Sequence, residues 1–275
     1  MTTTTLKVDG ASHHLKIWSN EAPRAAILII HGHGEHSGRY THLADAFGKV
    51  GIESWAIDLY GHGQSEGKRG HVPRYELFWN SLTKAFQQMR EKLGDIPMFL
   101  LGHSMGGNIV ASYAMKQKPN IQGVLLSSAY FRLAFTPTAS QLLLARVGKM
   151  LMPSLTQPSK LDPKGLSRDE KEVKMYIEDP MVHEMISPAL YAGITENGEY
   201  ILSHAADWNI PVLIAHGSAD PVTSFEASKM LFDGIPEVID KTWKPMEGSL
   251  HEMHNDLDRE EIIQAYRDWM VTRIG

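Results

Sequence analysis

The stretch FLLGHSMGGNIV (99–110) combines an apolar run, a glycine-rich turn and the start of a helical pattern. Its central residues GHSMG (102–106) fit the pattern G-x-S-x-G, in which a sharp strand-to-helix turn exposes a serine hydroxyl. Glycines suit such a turn because neighbouring backbone packs too closely for larger side chains. Two hypotheses stay open on this stretch alone: Ser104 is a catalytic nucleophile, or it caps the following helix.

On both sides of this stretch, similar apolar runs recur along the chain, with amphipathic patterns between them. The predicted strands are 25–31, 51–58, 97–103, 121–128, 210–217 and, more weakly, 240–246. The predicted helices are 39–50, 76–93, 104–118, 225–235 and 258–274. Continuous apolar strands that alternate with helices predict a doubly wound α/β fold, with a mostly parallel sheet covered on both faces.

The alternation stops between about 130 and 205, where six prolines separate short helical pieces. We therefore predict an α/β core formed by residues 1–130 and 206–275, with residues 131–205 inserted as a mainly helical cap. The cap is expected over the carboxyl edge of the sheet, where open α/β sheets bind ligands. The four threonines that follow Met1 are predicted to be a frayed end.

Composition excludes several classes of protein. The chain has 275 residues, a net charge of −5 and no cysteine, so disulfides, cysteine nucleophiles and thiolate metal sites are excluded. No block of like charge indicates a nucleic-acid partner. The first residues do not resemble a signal peptide, and no apolar run is long enough to span a bilayer. We predict a cytoplasmic protein and keep membrane-surface contact as a further hypothesis; the oligomeric state stays open.

A serine nucleophile needs a base, and the base needs an orienting acid, in the order Ser, Asp or Glu, His along the chain. Asp220 lies in HGSADPV (216–222), just after a predicted strand. His251 lies in EGSLHEMHND (247–256), after the last predicted strand. Since both follow strands at the same sheet edge as Ser104, they are the predicted acid and base.

Two further residues are rivals for these roles. Asp58 precedes Ser104 in the chain, so loop hydrogen bonds are its expected role. His254 is a second candidate base, and His251 is preferred because it comes first after the strand. The sequence HEMH does not match H-E-x-x-H, which argues against a zincin site.

The oxyanion of an ester transition state needs two preorganised N–H donors. The amide of Met105, directly after the serine, is the first candidate. The loop HGHG (31–34) follows a predicted strand, and the His33 amide is the second. A metal site is the competing interpretation, because four histidines cluster here, but no acidic partners stand at ligand spacing. Those histidines are His31, His33, His36 and His42.

Five segments together resemble the monoacylglycerol lipase group of α/β-hydrolase serine hydrolases, which includes related lysophospholipases. They are HGHGEHSGRY (31–40), DLYGHGQSEG (58–67), GHSMGG (102–107), HGSADPV (216–222) and LHEMH (250–254). The resemblance covers nearly the whole chain, and LSRDEKEVKMYIEDP (166–180) extends it into the proposed cap.

The resemblance implies an α/β-hydrolase fold, a Ser104–Asp220–His251 triad and cleavage of a fatty acyl ester from glycerol without a cofactor or metal. It further implies roles in substrate binding for Arg39, Tyr40, Glu172 and His254. Glu172 lies in a charged run, RDEKEVK (168–174), which equally suits a solvated helix face. His33 departs from the small residue that the family often has there. Lysophospholipase and broad carboxylesterase activity are the alternatives, followed by a non-catalytic binding protein.

One amphipathic segment of the proposed cap, SQLLLARVGKMLMPSL (140–155), has two interpretations. It packs on its own domain, or it forms an apolar lip that contacts lipid or gates acyl entry. The apolar residues at helical spacing are Leu142, Leu143, Val147, Met150 and Leu151.

Overall fold

An eight-stranded sheet carries the fold, and helices cover both of its faces. The computed structural model describes residues 1–274, and the side chains of residues 139–142 and 144 lie outside the description. The strands are β1 (Thr2–Val8), β2 (Ala11–Trp18), β3 (Ala25–Ile30), β4 (Ile52–Ile57), β5 (Met98–His103), β6 (Gly123–Ser127), β7 (Gln157–Pro158), β8 (Met185–Ile186), β9 (Val212–Gly217) and β10 (Lys241–Met246). The α-helices are α1 (Thr41–Gly48), α2 (Glu76–Leu93), α3 (Met105–Gln117), α4 (Ala139–Leu151), α5 (Glu170–Glu178), α6 (Pro188–Ser203), α7 (Phe225–Gly234) and α8 (Arg259–Val271).

The strand order in the large sheet is β1-β2-β4-β3-β5-β6-β9-β10. From β4 to β10 every neighbouring pair is parallel, whereas β1 and β2 add an antiparallel edge. The predicted doubly wound, mostly parallel fold is therefore confirmed. The six predicted strands lie within two residues of their predicted bounds, because strands buried on both faces are continuously apolar.

The prediction of a frayed amino terminus is wrong. Thr2 pairs with Ile17, and the ladder continues to Val8 opposite Ala11. Leu6 and Val8 are buried, while most of the threonines face solvent. An edge strand needs apolar side chains on one face only, so β1 forms without the continuous apolar run of a central strand.

Alternate side chains of one strand enter the two separate cores, as the pleat of a strand requires. In β3, Ala26, Leu28 and Ile30 pack with α2 and α3. Ile27 and Ile29 pack on the opposite face with α1 and α8. Both faces of β3 are therefore sealed from water.

Residues 131–205, called the insertion from here on, separate β6 from β9. They hold α4, α5, α6 and a small antiparallel ladder of β7 with β8. Helix α6 packs on α3 and buries Leu190, Ile194 and Ile201. The His183 amide donates to the Gly34 carbonyl at 2.8 Å, which ties the insertion to the loop after β3. In residues 1–274 no helix is long and apolar enough to cross a membrane.

Candidate active site

Ser104 occupies a strained turn between β5 and α3. Its φ of 54° and ψ of −119° define a backbone conformation that residues other than glycine rarely adopt. Its amide donates to the Ser127 carbonyl at 3.0 Å, and its carbonyl accepts from the Tyr130 amide at 2.9 Å. A Cβ at Gly102 would collide with the Gly106 carbonyl, which explains why this turn requires glycine. The turn therefore has the form of a nucleophile elbow.

Asp220 and His251 meet at the carboxyl edge of the sheet, one after β9 and the other after β10. His251 Nδ1 lies 2.7 Å from Asp220 Oδ2, and both side chains are buried. Ser104 and His251 line the same cavity. The structure thus pairs Asp220 with His251 and places Ser104 and His251 on one cavity, and the triad itself stays a prediction.

The rivals have other contacts. Asp58 accepts hydrogen bonds from the Ser37 and Gln64 amides at 2.8 Å each, so its predicted loop role is confirmed. The His254 ring stacks on Tyr40, 5.1 Å between centroids, and its Nε2 has no hydrogen-bond partner in the described part of the chain. Asp220 is paired with His251 instead.

The pKa values of the Asp220–His251 pair move in opposite directions. Burial alone would raise the pKa of Asp220, but the charge of His251 and hydrogen bonds from His216 and His251 hold it well below its usual range. Burial alone would lower the pKa of His251, but the carboxylates of Asp220, Glu252 and Glu35 together more than offset this, so the net shift is upward. Asp220 therefore stays ionised and favours the imidazolium form of His251.

Glu35 holds the loop that follows β3. Its Oε1 accepts from the Gly32 amide at 2.6 Å and from the Tyr40 hydroxyl at 2.7 Å. Its Oε2 accepts from Arg39 at 2.9 Å. Arg39 also binds both oxygens of Glu252, the neighbour of His251. Sequence reasoning missed both glutamates, although the spacing of Glu35 and Arg39 by four residues was a signal for the first.

The His33 imidazole faces the insertion. Its Nε2 donates to the Met185 carbonyl at 2.9 Å, and burial lowers the pKa of this histidine to about 4. The rings of His62 and His183 each lie 5.8 Å from it. His33 lines the cavity of Ser104, and its side chain joins the loop after β3 to β8.

The four histidines that suggested a metal site face different partners. His31 and His33 face the carbonyls of Gly32 and Met185. His36 contacts the carboxylate of Asp179, and His42 contacts the carbonyl of His254. Among residues 1–274, no group of three or more histidine or acidic side chains is placed to hold a metal ion.

The cavity of Ser104 has a volume of about 790 Å³ and lies between the core and the insertion. The polar part of its lining includes Glu35, Glu252 and His251. Most of the lining is apolar, a combination that suits a long acyl chain joined to a small polar group. The apolar lining includes Leu133, Phe135, Met152, Leu155, Leu161, Leu166, Ile186 and Ile194.

The residues predicted from the resemblance to bind substrate are absent from the lining of this cavity. Glu172 accepts from Arg259 at 2.7 Å and lines a second cavity of about 630 Å³. Arg39 lines the second cavity too. Tyr40 and His254 are buried next to each other. The substrate-binding roles of these four residues stay predictions.

Helix α4 and the residues after it expose apolar side chains. Leu143, Met150 and Leu151 are at least 64% exposed, and Val147 is 39% exposed. The Leu142 side chain lies outside the described residues. This exposure disfavours packing on the chain's own domain for those four residues.

An elbow serine at the carboxyl edge of a mostly parallel sheet, with an acid and a histidine after later strands, defines the α/β-hydrolase class. Residues 21–258 match the family described as serine aminopeptidase, S33, and the chain belongs to that family. It is 30% identical to the monoglyceride lipase of Rattus norvegicus, over 98% of this chain and 90% of that protein.

Two further proteins show how far the similarity extends. The crystal structure of Paleococcus ferrophilus monoacylglycerol lipase is 36% identical, with a TM-score of 0.86 over 95% of this chain and 99% of that one. An uncharacterised abhydrolase domain-containing protein of Dictyostelium discoideum is 33% identical over 98% of this chain. The chain spans 29% of the length of the Dictyostelium protein.

Proposed function

We propose that this protein hydrolyses monoacylglycerols to fatty acid and glycerol through an acyl-enzyme on Ser104. The observation that carries the proposal is the 2.7 Å contact of Asp220 with His251, which shares a mainly apolar cavity with the elbow serine. The names of the rat and Paleococcus relatives support the substrate class.

In the proposed mechanism His251 takes the proton of Ser104 as the hydroxyl oxygen attacks the ester carbonyl. Asp220 holds the Nδ1–H tautomer of His251 and stabilises its imidazolium form. The backbone amides of His33 and Met105 donate to the oxyanion. The imidazolium then protonates the glycerol oxygen, and water releases the fatty acid from Ser104 with His251 as base again.

In this proposal the insertion is a cap that supplies most of the acyl-binding surface. Its exposed apolar side chains, including Leu143, Met150 and Leu151, make transient contact with a lipid surface. Such contact would let a poorly soluble substrate pass from the lipid surface into the cavity. A cytoplasmic location stays a prediction from sequence.

The test is hydrolysis of four lauroyl esters by the wild type and Ser104→Ala. The substrates are 1-lauroylglycerol, lauroyl lysophosphatidylcholine, dilauroylglycerol and p-nitrophenyl laurate. We expect the highest kcat/KM on 1-lauroylglycerol, no turnover by the variant, and labelling of wild-type Ser104 by a fluorophosphonate. Turnover by Ser104→Ala would overturn the triad. Higher kcat/KM on the lysophospholipid would keep the triad and replace the substrate.

A further inference from the structure

A second imidazole lies against the proposed catalytic acid. His216, at the end of β9, is fully buried, and its Nε2 lies 3.1 Å from Asp220 Oδ2. His251 Nδ1 lies 2.7 Å from the same oxygen. We propose that His216 is a positioning residue, which fixes the Asp220 carboxylate and moderates the negative charge that it presents to His251. The inference rests on the proposed function.

The neighbours of His216 determine which ring nitrogen carries the proton. Nε2 faces two acceptors, Asp220 Oδ2 and the Thr223 carbonyl, the latter at 3.2 Å. Nδ1 lies 2.7 Å from the hydroxyl of Ser228, which is able to donate. Of the two tautomers, the Nε2–H form satisfies these groups, with Ser228 donating to Nδ1.

The two oxygens of Asp220 are held differently. Oδ1 accepts from the backbone amides of Val222 and Thr223, at 2.7 and 3.1 Å. Oδ2 faces the side chains of His251, His216 and Thr223, the last at 2.8 Å. Since the backbone fixes only Oδ1, the orientation of Oδ2 depends on its side-chain donors, of which His216 and Thr223 are fully buried.

Loss of the His216 donor has two consequences for His251. While the backbone amides still hold Oδ1, the Asp220 carboxylate rotates more freely, so His251 is aligned less well with Ser104. Oδ2 also presents more negative charge to His251, which favours the imidazolium that cannot act as a base. The other ionisable groups that face His251 are unchanged by the substitution; they are Glu35, His103, Glu252 and His254.

The test compares His216→Leu with His216→Gln. Leucine removes the donor, whereas the glutamine amide has a donor and an acceptor at nearly the spacing of the two ring nitrogens. For His216→Leu we expect about 10²-fold lower kcat at the pH plateau and an acid limb of kcat/KM moved up by roughly half a pH unit or more. His216→Gln should recover most of both.

The matched control is His13→Leu, which removes a fully buried histidine of β2. It should keep the wild-type pH profile, with near-UV circular dichroism confirming that each variant is folded. The tautomer is measured directly on the wild-type protein by ¹⁵N NMR of the histidine rings, with His216→Gln providing the assignment. We expect the Nε2–H tautomer of His216.

The outcomes separate the positioning role from the proposed function. A folded His216→Leu with the wild-type kcat and pH profile, or an Nδ1–H tautomer of His216, overturns the positioning role alone. A folded His216→Gln as impaired as His216→Leu overturns it too. If the fluorophosphonate fails to label wild-type Ser104, the proposed function falls first and this inference falls with it.

Discussion

Arg39 donates hydrogen bonds to both carboxylate oxygens of Glu252, at 2.6 and 2.7 Å, and Glu252 directly follows His251 of the proposed triad. The same guanidinium binds Glu35, whose carboxylate accepts from the Gly32 amide in the loop after β3. One buried cation therefore links the loop after β3 to the loop that holds His251. Charged pairs in such a setting are strongly coupled, and loss of one partner leaves an uncompensated charge.

Arg39→Leu is expected to lower the free energy of unfolding by about 3–5 kcal/mol, because two buried carboxylates lose their cation. Urea unfolding followed by circular dichroism measures the change. Arg39→Lys should lose less, since it keeps the charge but not the planar fork. Equal stability of Arg39→Leu and the wild type would contradict the coupling.

Ser104→Gly is expected to be inactive and more stable than Ser104→Ala by about 1 kcal/mol. Glycine relieves the strain of the positive φ, while its extra freedom in the unfolded chain opposes part of the gain. Alanine keeps the strained backbone and therefore serves as the control. The melting temperatures of the two variants give the difference, and identical values would argue against stored strain at this turn.

Hydrolysis of 1-lauroylglycerol is expected to decline as the pH falls through the pKa of His251. The reaction needs the neutral imidazole, and the net effect of burial and Asp220 raises this pKa above its ordinary value of 6.5. The acid limb of kcat/KM should therefore have a midpoint above 6.5. A profile that stays flat down to pH 5 would exclude His251 as the base.

Glu172→Gln tests the glycerol role that the resemblance implies. Because Glu172 pairs with Arg259 and lies outside the lining of the Ser104 cavity, we expect the KM for 1-lauroylglycerol to change little. The loss of this partly exposed pair should cost about 1 kcal/mol or less of stability. Asp169→Asn, which removes a second carboxylate near Arg259, is the control. A selective rise in KM for 1-lauroylglycerol, absent with p-nitrophenyl laurate, would restore the glycerol role.

Acid should loosen the contact between the insertion and the core. Burial lowers the pKa values of His33 and His183 to about 4, below the 6.5 of the free side chain. The unfolded chain thus binds more protons than the folded chain between those values, and stability declines as the pH falls from about 6.5 towards 4.

His183→Gln should weaken this pH dependence, because it removes one of the buried groups that resist protonation. The free energy of unfolding in urea at pH 4.5, 5.5 and 7 measures it. His204→Gln, at an exposed histidine, should leave the wild-type dependence unchanged. A His183→Gln variant with the same pH dependence as the wild type would show that this ring is not involved.

Much of the core fold follows from local sequence pattern. Buried parallel strands such as β3 and β5 are continuously apolar, so their positions were predicted within two residues. Strands β1 and β2 were missed, because these antiparallel strands carry only a one-sided apolar pattern, interrupted by threonine and histidine. Ser104, Asp220 and His251 could likewise be picked out by their order in the chain. Each follows a parallel strand, and the carboxyl ends of parallel strands share one edge of the sheet.

By itself the sequence determined the alternation of strands and helices, the elbow glycines and the three candidate catalytic residues. Those features depend on near neighbours in the chain or on the shared polarity of parallel strands. Only the tertiary structure decided that Glu252 meets Arg39, that His216 lies against Asp220, and that Glu172 turns to Arg259. Such contacts join residues from different loops and helices, and their geometry exists only once those elements have packed together.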